Sequence, residues 1–166
     1  MIIPKPLVRS LYIAGCLAAA ALVTGLQRPV AAADAPHVHA VVPAPPANKY
    51  AEICQVCHQA TGLGLEPVFP PLAGSEWLNG PAVIPIAIVL KGLQGEVVVK
   101  GKTYNSAMAA WESVLNDDDL AATLTYARGQ WGNRGTPVTA AQVRAARARF
   151  ASRKTPWTSA EAKALK

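Results

Sequence analysis

The chain has 166 residues, enough for one compact domain with short appendages. Sixteen Lys and Arg against ten Asp and Glu give a formal net charge of +6, unevenly placed. Residues 48–133 carry five basic and eight acidic side chains, and residues 134–166 carry eight basic and one acidic. With its basic excess confined to a tail, the chain is not read as a nucleic-acid binder. The tail is either solvated or a segment that docks on a partner or a membrane surface.

Lys5 and Arg9 precede an uncharged run from Leu11 to Leu26, which gives way to Ala31-Ala32-Ala33. This order of basic, apolar and small residues is that of a secretory signal over residues 1–33, with Asp34 as the mature N-terminus. Sixteen apolar residues are short for a bilayer span. Two alternatives stand beside cleavage: an uncleaved anchor, and lipid attachment at Cys16 of Ile13-Ala14-Gly15-Cys16. Residues 34–47, with Pro36, Pro43, Pro45 and Pro46, read as an extended linker.

The compact part follows over residues 48–133. A first helix is expected from Asn48 to about His58, capped by Asn48, with Tyr50, Ile53 and Cys54 on one face. Gly62-Leu63-Gly64 marks a turn, and three prolines between Pro67 and Gly74 forbid a regular helix there. Pro81 opens a helix carrying Ile84, Ile88 and Lys91, which Gly92 ends. Val97-Val98-Val99 and Lys102-Thr103-Tyr104 flank Gly101 as a small hairpin. Asn116 caps the clearest helix, with Asp117, Asp118 and Asp119 in its positive first turn and an apolar face of Leu120, Leu124 and Ala127. Trp131-Gly132-Asn133 closes it.

In the basic extension, residues 134–166, Thr139-Ala140-Ala141-Gln142 is a capping box for a helix to about Arg153, with a stripe of Val143, Ala146 and Phe150. Thr158-Ser159-Ala160-Glu161 caps one more turn. The elements are helical with one short hairpin, so the class is all-α. A core of about 85 residues, in a chain with two phenylalanines, needs a staple.

Cys54-Gln55-Val56-Cys57-His58 identifies that staple. Two thiols three residues apart can add to the two vinyl groups of a heme, and the adjacent histidine then stands over the iron. A thioredoxin-like pair would want alternating strands and helices around the motif. Zinc would want two further ligands. Once a leader is removed no third cysteine remains, and His37 and His39 fall in the linker.

The iron's other face requires a ligand or stays open. Met108, fifty residues beyond His58, is the single methionine after the leader. A thioether there stabilises ferrous iron and raises the reduction potential. His37, His39, Lys100, Lys102 and an open site are the alternatives.

On these residues the chain resembles the class I c-type cytochromes, small His/Met monoheme electron carriers. Phe69-Pro70-Pro71-Leu72-Ala73-Gly74-Ser75 is similar to the family's proline turn, Gly101-Lys102-Thr103-Tyr104-Asn105 with Met108 to its methionine loop, and Leu124 to Asn133 to its C-terminal helix. The resemblance covers about residues 48–149 and implies a small cytochrome c fold around one covalent heme c. It implies that the Pro70 carbonyl accepts the His58 ring proton, that Leu72 packs on the heme, and that Tyr50 meets the Thr123 to Tyr126 region. Trp77, Asn79, Tyr104 and Trp111 are candidate propionate donors, with Trp77 foremost. Where relatives carry proline after the methionine, this chain has Ala109.

The expected function is single-electron transfer in the periplasm, without catalysis by the chain itself. The expected partners are redox proteins such as a periplasmic dehydrogenase, of the quinoprotein alcohol dehydrogenase kind, and a terminal oxidase. An electron-transfer subunit of a larger membrane-associated complex is the alternative. Membrane contact would come through an uncleaved N-terminus or the basic C-terminal helix. A heme enzyme or gas sensor with an open iron site requires Met108 to leave the iron.

Overall fold

A computed structural model describes residues 48–166. The leader, the linker, Cys16, His37 and His39 lie outside the described residues.

The chain enters through a π-helical turn, Tyr50–Cys54, that runs directly into α1, Gln55–His58. Lys49, not Asn48, is the N-cap and makes no side-chain cap bond; Asn48, one residue earlier, accepts from the Tyr50 N–H through Oδ1 at 3.0 Å. After the proline turn come the short α2, Glu76–Asn79, and α3, Val83–Lys91. β1, Glu96–Val99, pairs antiparallel with β2, Lys102–Asn105, in the register Val97 with Tyr104. Three further helices follow: α4, Asp117–Gly129; α5, Ala140–Arg149; and α6, Ser159–Lys163.

The start signals read from sequence for the last three helices are formed. Asn116 Oδ1 accepts from the Asp119 N–H at 2.8 Å, and both Thr139 and Thr158 head complete capping boxes. The α2 turn was not expected. It is four residues long, too short for a periodic pattern, and Ser75 caps it.

The first helical segment crosses α4. The Lys49 N–H donates to Thr123 Oγ1 at 2.9 Å. Tyr50, Tyr126 and Trp131 form an aromatic cluster with centroids 5.0–5.9 Å apart. Tyr50 therefore meets the Thr123 to Tyr126 region as the resemblance implies.

Residues 134–166 are not a solvated tail. Val138, Val143, Ala146, Phe150, Trp157, Ala162 and Leu165 are buried in the same core as Leu90, Leu120 and Leu124. α5 packs on α3 and α4, and α6 packs on α3. The stripe of Val143, Ala146 and Phe150 was legible in the sequence, and α3 is largely apolar and buried, which leaves it able to receive a second helix. The arginines serve the packing too. Arg147 donates to Asp117 Oδ1 at 3.0 Å and to the Glu112 and Leu115 carbonyls at 2.9 Å each.

No described helix is long and apolar enough to cross a membrane.

Candidate functional site

The Cys-X-X-Cys-His motif is presented by the π-helical turn and α1. Cys54 ends the first and Cys57 lies within the second, both half-buried and unpaired. Burial, and next the neighbouring Cys57, push the Cys54 thiol up to about 11. A redox-active pair of the thioredoxin kind needs the opposite shift, toward thiolate. Among the described residues there is one two-stranded sheet and no group of three His, Cys, Asp or Glu placed to hold a metal ion.

His58 is buried, and its Nδ1 lies 3.0 Å from the Pro70 carbonyl. A carbonyl only accepts, so Nδ1 carries the proton and Nε2 keeps its lone pair. Burial lowers the pKa of this ring, against the Pro70 contact, which raises it. The ring is thus a neutral imidazole with a basic nitrogen available to a metal, oriented by a carbonyl as ligating histidines usually are.

That carbonyl is held by its loop. The Leu72 and Ala73 N–H groups donate to the Gly62 carbonyl at 2.7 and 2.9 Å. Asn133 donates to the Leu72 carbonyl at 3.0 Å and accepts from the Gly74 N–H at 2.8 Å. Gly64, at φ +67°, leaves space that a Cβ would take from the Phe69 and Pro70 carbonyls.

Met108 is placed by a different set of bonds. Its N–H donates to the Leu93 carbonyl at 2.8 Å, and the Leu93 N–H returns the bond at 3.1 Å. Gly92, at φ +81°, permits this approach, because a Cβ there would stand 2.6 Å from the Met108 carbonyl. Beyond Met108, the Trp111 N–H donates to the Val89 carbonyl at 2.8 Å, and Lys91 pairs with Glu112 at 2.6 Å.

His58, Cys54 and Met108 all line one apolar cavity of about 880 Å³, its open mouth included. Pro70, Leu72, Trp77, Ile88, Leu93 and Leu124 are among the other walls. A greasy chamber with a ring nitrogen, a thioether and a thiol on its walls matches the donor set of a covalently attached heme. The residues fit the group.

The remaining candidates are placed less uniformly. Cys57 and Tyr104 are not among the wall residues of that chamber. Tyr104 is buried in the hairpin with Val97 and Val99. Trp77 lines the chamber, but its indole N–H donates to the Val98 carbonyl at 2.9 Å. Asn79 Nδ2 donates to Ser75 and Asn133, and Trp111 is a wall residue. Lys102 pairs with Glu66 at 2.7 Å on the surface. Neither Lys100 nor Lys102 lines the chamber. The sequence reading missed Leu93, Asn133 and Arg128 as supports. A glycine closing an apolar helix, as Gly92 does, was the available signal for the first.

Comparison with known proteins converges on the same chemistry. The family described as cytochrome C oxidase, cbb3-type, subunit III matches residues 42–126. Cytochrome c-552 of Thermus thermophilus is 38% identical over 107 residues, covering 59% of this chain and 80% of that protein. The cytochrome c subunit of a quinone alcohol dehydrogenase from Gluconacetobacter polyoxogenes is 34% identical over 106 residues, 60% of this chain but 21% of that subunit. The gluconate 2-dehydrogenase cytochrome c subunit of Pantoea cypripedii is 35% identical over 103 residues, 58% of this chain and 22% of the subunit. With half of its length matched, the chain belongs to this family of c-type cytochromes, class I proteins that carry electrons on a covalently bound heme c.

Proposed function

We propose that Cys54 and Cys57 would hold the heme through two thioether bonds, that His58 Nε2 and Met108 Sδ would ligate its iron, and that the protein passes single electrons between exported redox proteins. The bound group supplies a one-electron ferric/ferrous couple. The chain's residues do the rest. His58 is oriented by Pro70, the Met108 backbone is fixed to Leu93, and the apolar walls would keep water from a bound metal. Exclusion of water and a thioether ligand both favour the ferrous state and raise the potential. The observation that carries this reading is that His58 and Met108, fifty residues apart, line one apolar chamber beside Cys54.

Electron exchange needs an accessible edge. Val56, between the two cysteines, is 74% exposed, and Leu63 and Leu65 on the following loop are 62% and 55% exposed. Exposed apolar side chains near the attachment motif suit brief contact with a partner. We place the protein in the periplasm, taking electrons from a dehydrogenase and delivering them to a terminal oxidase. The cytochrome subunits of quinone alcohol dehydrogenase and gluconate 2-dehydrogenase among the relatives support the donor class. The same relatives favour a second reading, in which this chain is the electron-transfer subunit of a membrane-associated complex.

Carbon monoxide tests the ligand assignment. The reduced protein is expected to show no prompt spectral change, and Met108→Ala is expected to bind the gas rapidly. Rapid binding by the unaltered protein would instead support a heme enzyme or gas sensor.

A further inference from the structure

The methionine segment is not held by Leu93 alone. Gly92, Leu93 and Gln94 form a middle rung with Met108 on one side and Trp157 on the other. The Trp157 N–H donates to the Gly92 carbonyl at 2.9 Å, and the Gln94 N–H donates to the Trp157 carbonyl at 2.8 Å. The Trp157 side chain is in turn fixed by three contacts. Its indole N–H donates to the Ala87 carbonyl in α3 at 3.0 Å. Phe150 meets it edge-on at 5.0 Å, and the Arg153 guanidinium lies 3.7 Å over its ring. Arg153 is itself paired with Glu161 of α6 at 2.7 Å.

We infer that the C-terminal extension is a clamp on the Met108 side of the iron, with Trp157 as a positioning residue that keeps the thioether in place. The inference rests on Met108 being the axial ligand. Its physical content is that Leu93 cannot move away from the chamber with Met108 while its other edge is bonded to an anchored Trp157. Ala109 follows the methionine directly, and Trp111 is the next residue shown bonded to α3. Between these points the loop relies on the Leu93 rung. Releasing Trp157 makes that rung mobile, and the bond most exposed to the change is the weak one between iron and thioether. Trp157 touches no electron partner in this account. It acts through Leu93 and Met108.

The test is competition at the iron. Imidazole is titrated into the oxidised holoprotein, and the weak far-red absorption of thioether-bound ferric iron is followed as it disappears. Trp157→Ala keeps the main-chain bonds to Gly92 and Gln94 but removes the indole that anchors them, and is expected to tighten apparent imidazole binding about tenfold, the effect of losing the bond to Ala87 and the ring's packing. Trp157→Phe keeps the ring without the bond to Ala87 and is expected to lie between, about threefold. Val143→Ala loosens the same extension away from the rung and is expected to match the unaltered protein. Equal imidazole affinity in Trp157→Ala and the unaltered protein overturns the inference, as does an equal gain in Val143→Ala. Should Trp157→Ala fail to accumulate with heme, the order of Trp157→Phe against Val143→Ala decides in the same way. A far-red band absent from the unaltered protein overturns the Met108 assignment and the clamp together; a band that is present and insensitive to Trp157 overturns the clamp alone.

Discussion

Arg128 shows what a charged side chain can do inside a small core. It is 2% exposed, and its guanidinium donates to the carbonyls of Leu78, Gly80 and Thr136, joining the α2–α3 connection to the start of the extension. Arg128→Met leaves those acceptors without a donor and is expected to cost about 3 kcal/mol in urea or thermal unfolding. Sequence placed Arg128 only at the end of a helix, where a solvated arginine is ordinary. Its role was not legible because the three carbonyls come from other parts of the chain. Glu161 is a contrasting case. Its bond to Arg153, then its bonds to Thr158, depress its carboxyl from 4.5 to about 2. A depressed carboxylate contributes stability above its ordinary pKa, lost as pH falls through the folded value. Attachment of α6 is therefore expected to weaken from about pH 4.5 down to about 2. Glu161→Gln is expected to flatten that part of the unfolding curve, and an unchanged curve would show that the pair contributes nothing.

At the scale of elements, the legible features were those decided locally. Asn116, Thr139 and Thr158 are side chains that bond within three residues of themselves, so their spacing alone predicts where α4, α5 and α6 begin. The π-helical form of Tyr50–Cys54 was not legible, since its apolar spacing does not differ enough from an α-helix over five residues. Gly92 was read as a helix stop, which it is, but its second role depends on Met108 arriving from sixteen residues away. Gly92→Ala is expected to push the Leu93 and Met108 segments apart. The measurement is the far-red thioether band, expected to weaken while helical content by circular dichroism stays unchanged. A full band in that variant would mean the loop tolerates the displacement.

For the whole molecule, the main revision concerns residues 134–166. Charge counting separated them as a basic appendage, because composition records net charge and not which arginines are spent on carbonyls and carboxylates. In the structure Phe150 and Trp157 complete the core, and Arg147 binds α4's first turn. Burial of one such aromatic is worth about 2–3 kcal/mol, so removal of residues 134–166 is expected to unfold the domain and lose the native heme spectrum, the far-red thioether band included. An intact spectrum would show a dispensable tail and shift the argument toward partner docking. Of the site residues read from the sequence, Cys54, His58, Pro70, Leu72 and Met108 share the walls of one apolar chamber. A covalent ligand motif is contiguous and therefore readable, while polar contacts such as that of Trp77 with Val98 depend on where the hairpin folds back. The most direct test of the account is the mass and extractability of the pigment in the purified exported protein. The expected result is a polypeptide heavier by one heme that keeps its colour through acidified acetone, and that Cys54→Ala with Cys57→Ala reduces to a colourless chain. A polypeptide of unmodified mass, or a pigment that passes into the acetone, would contradict it.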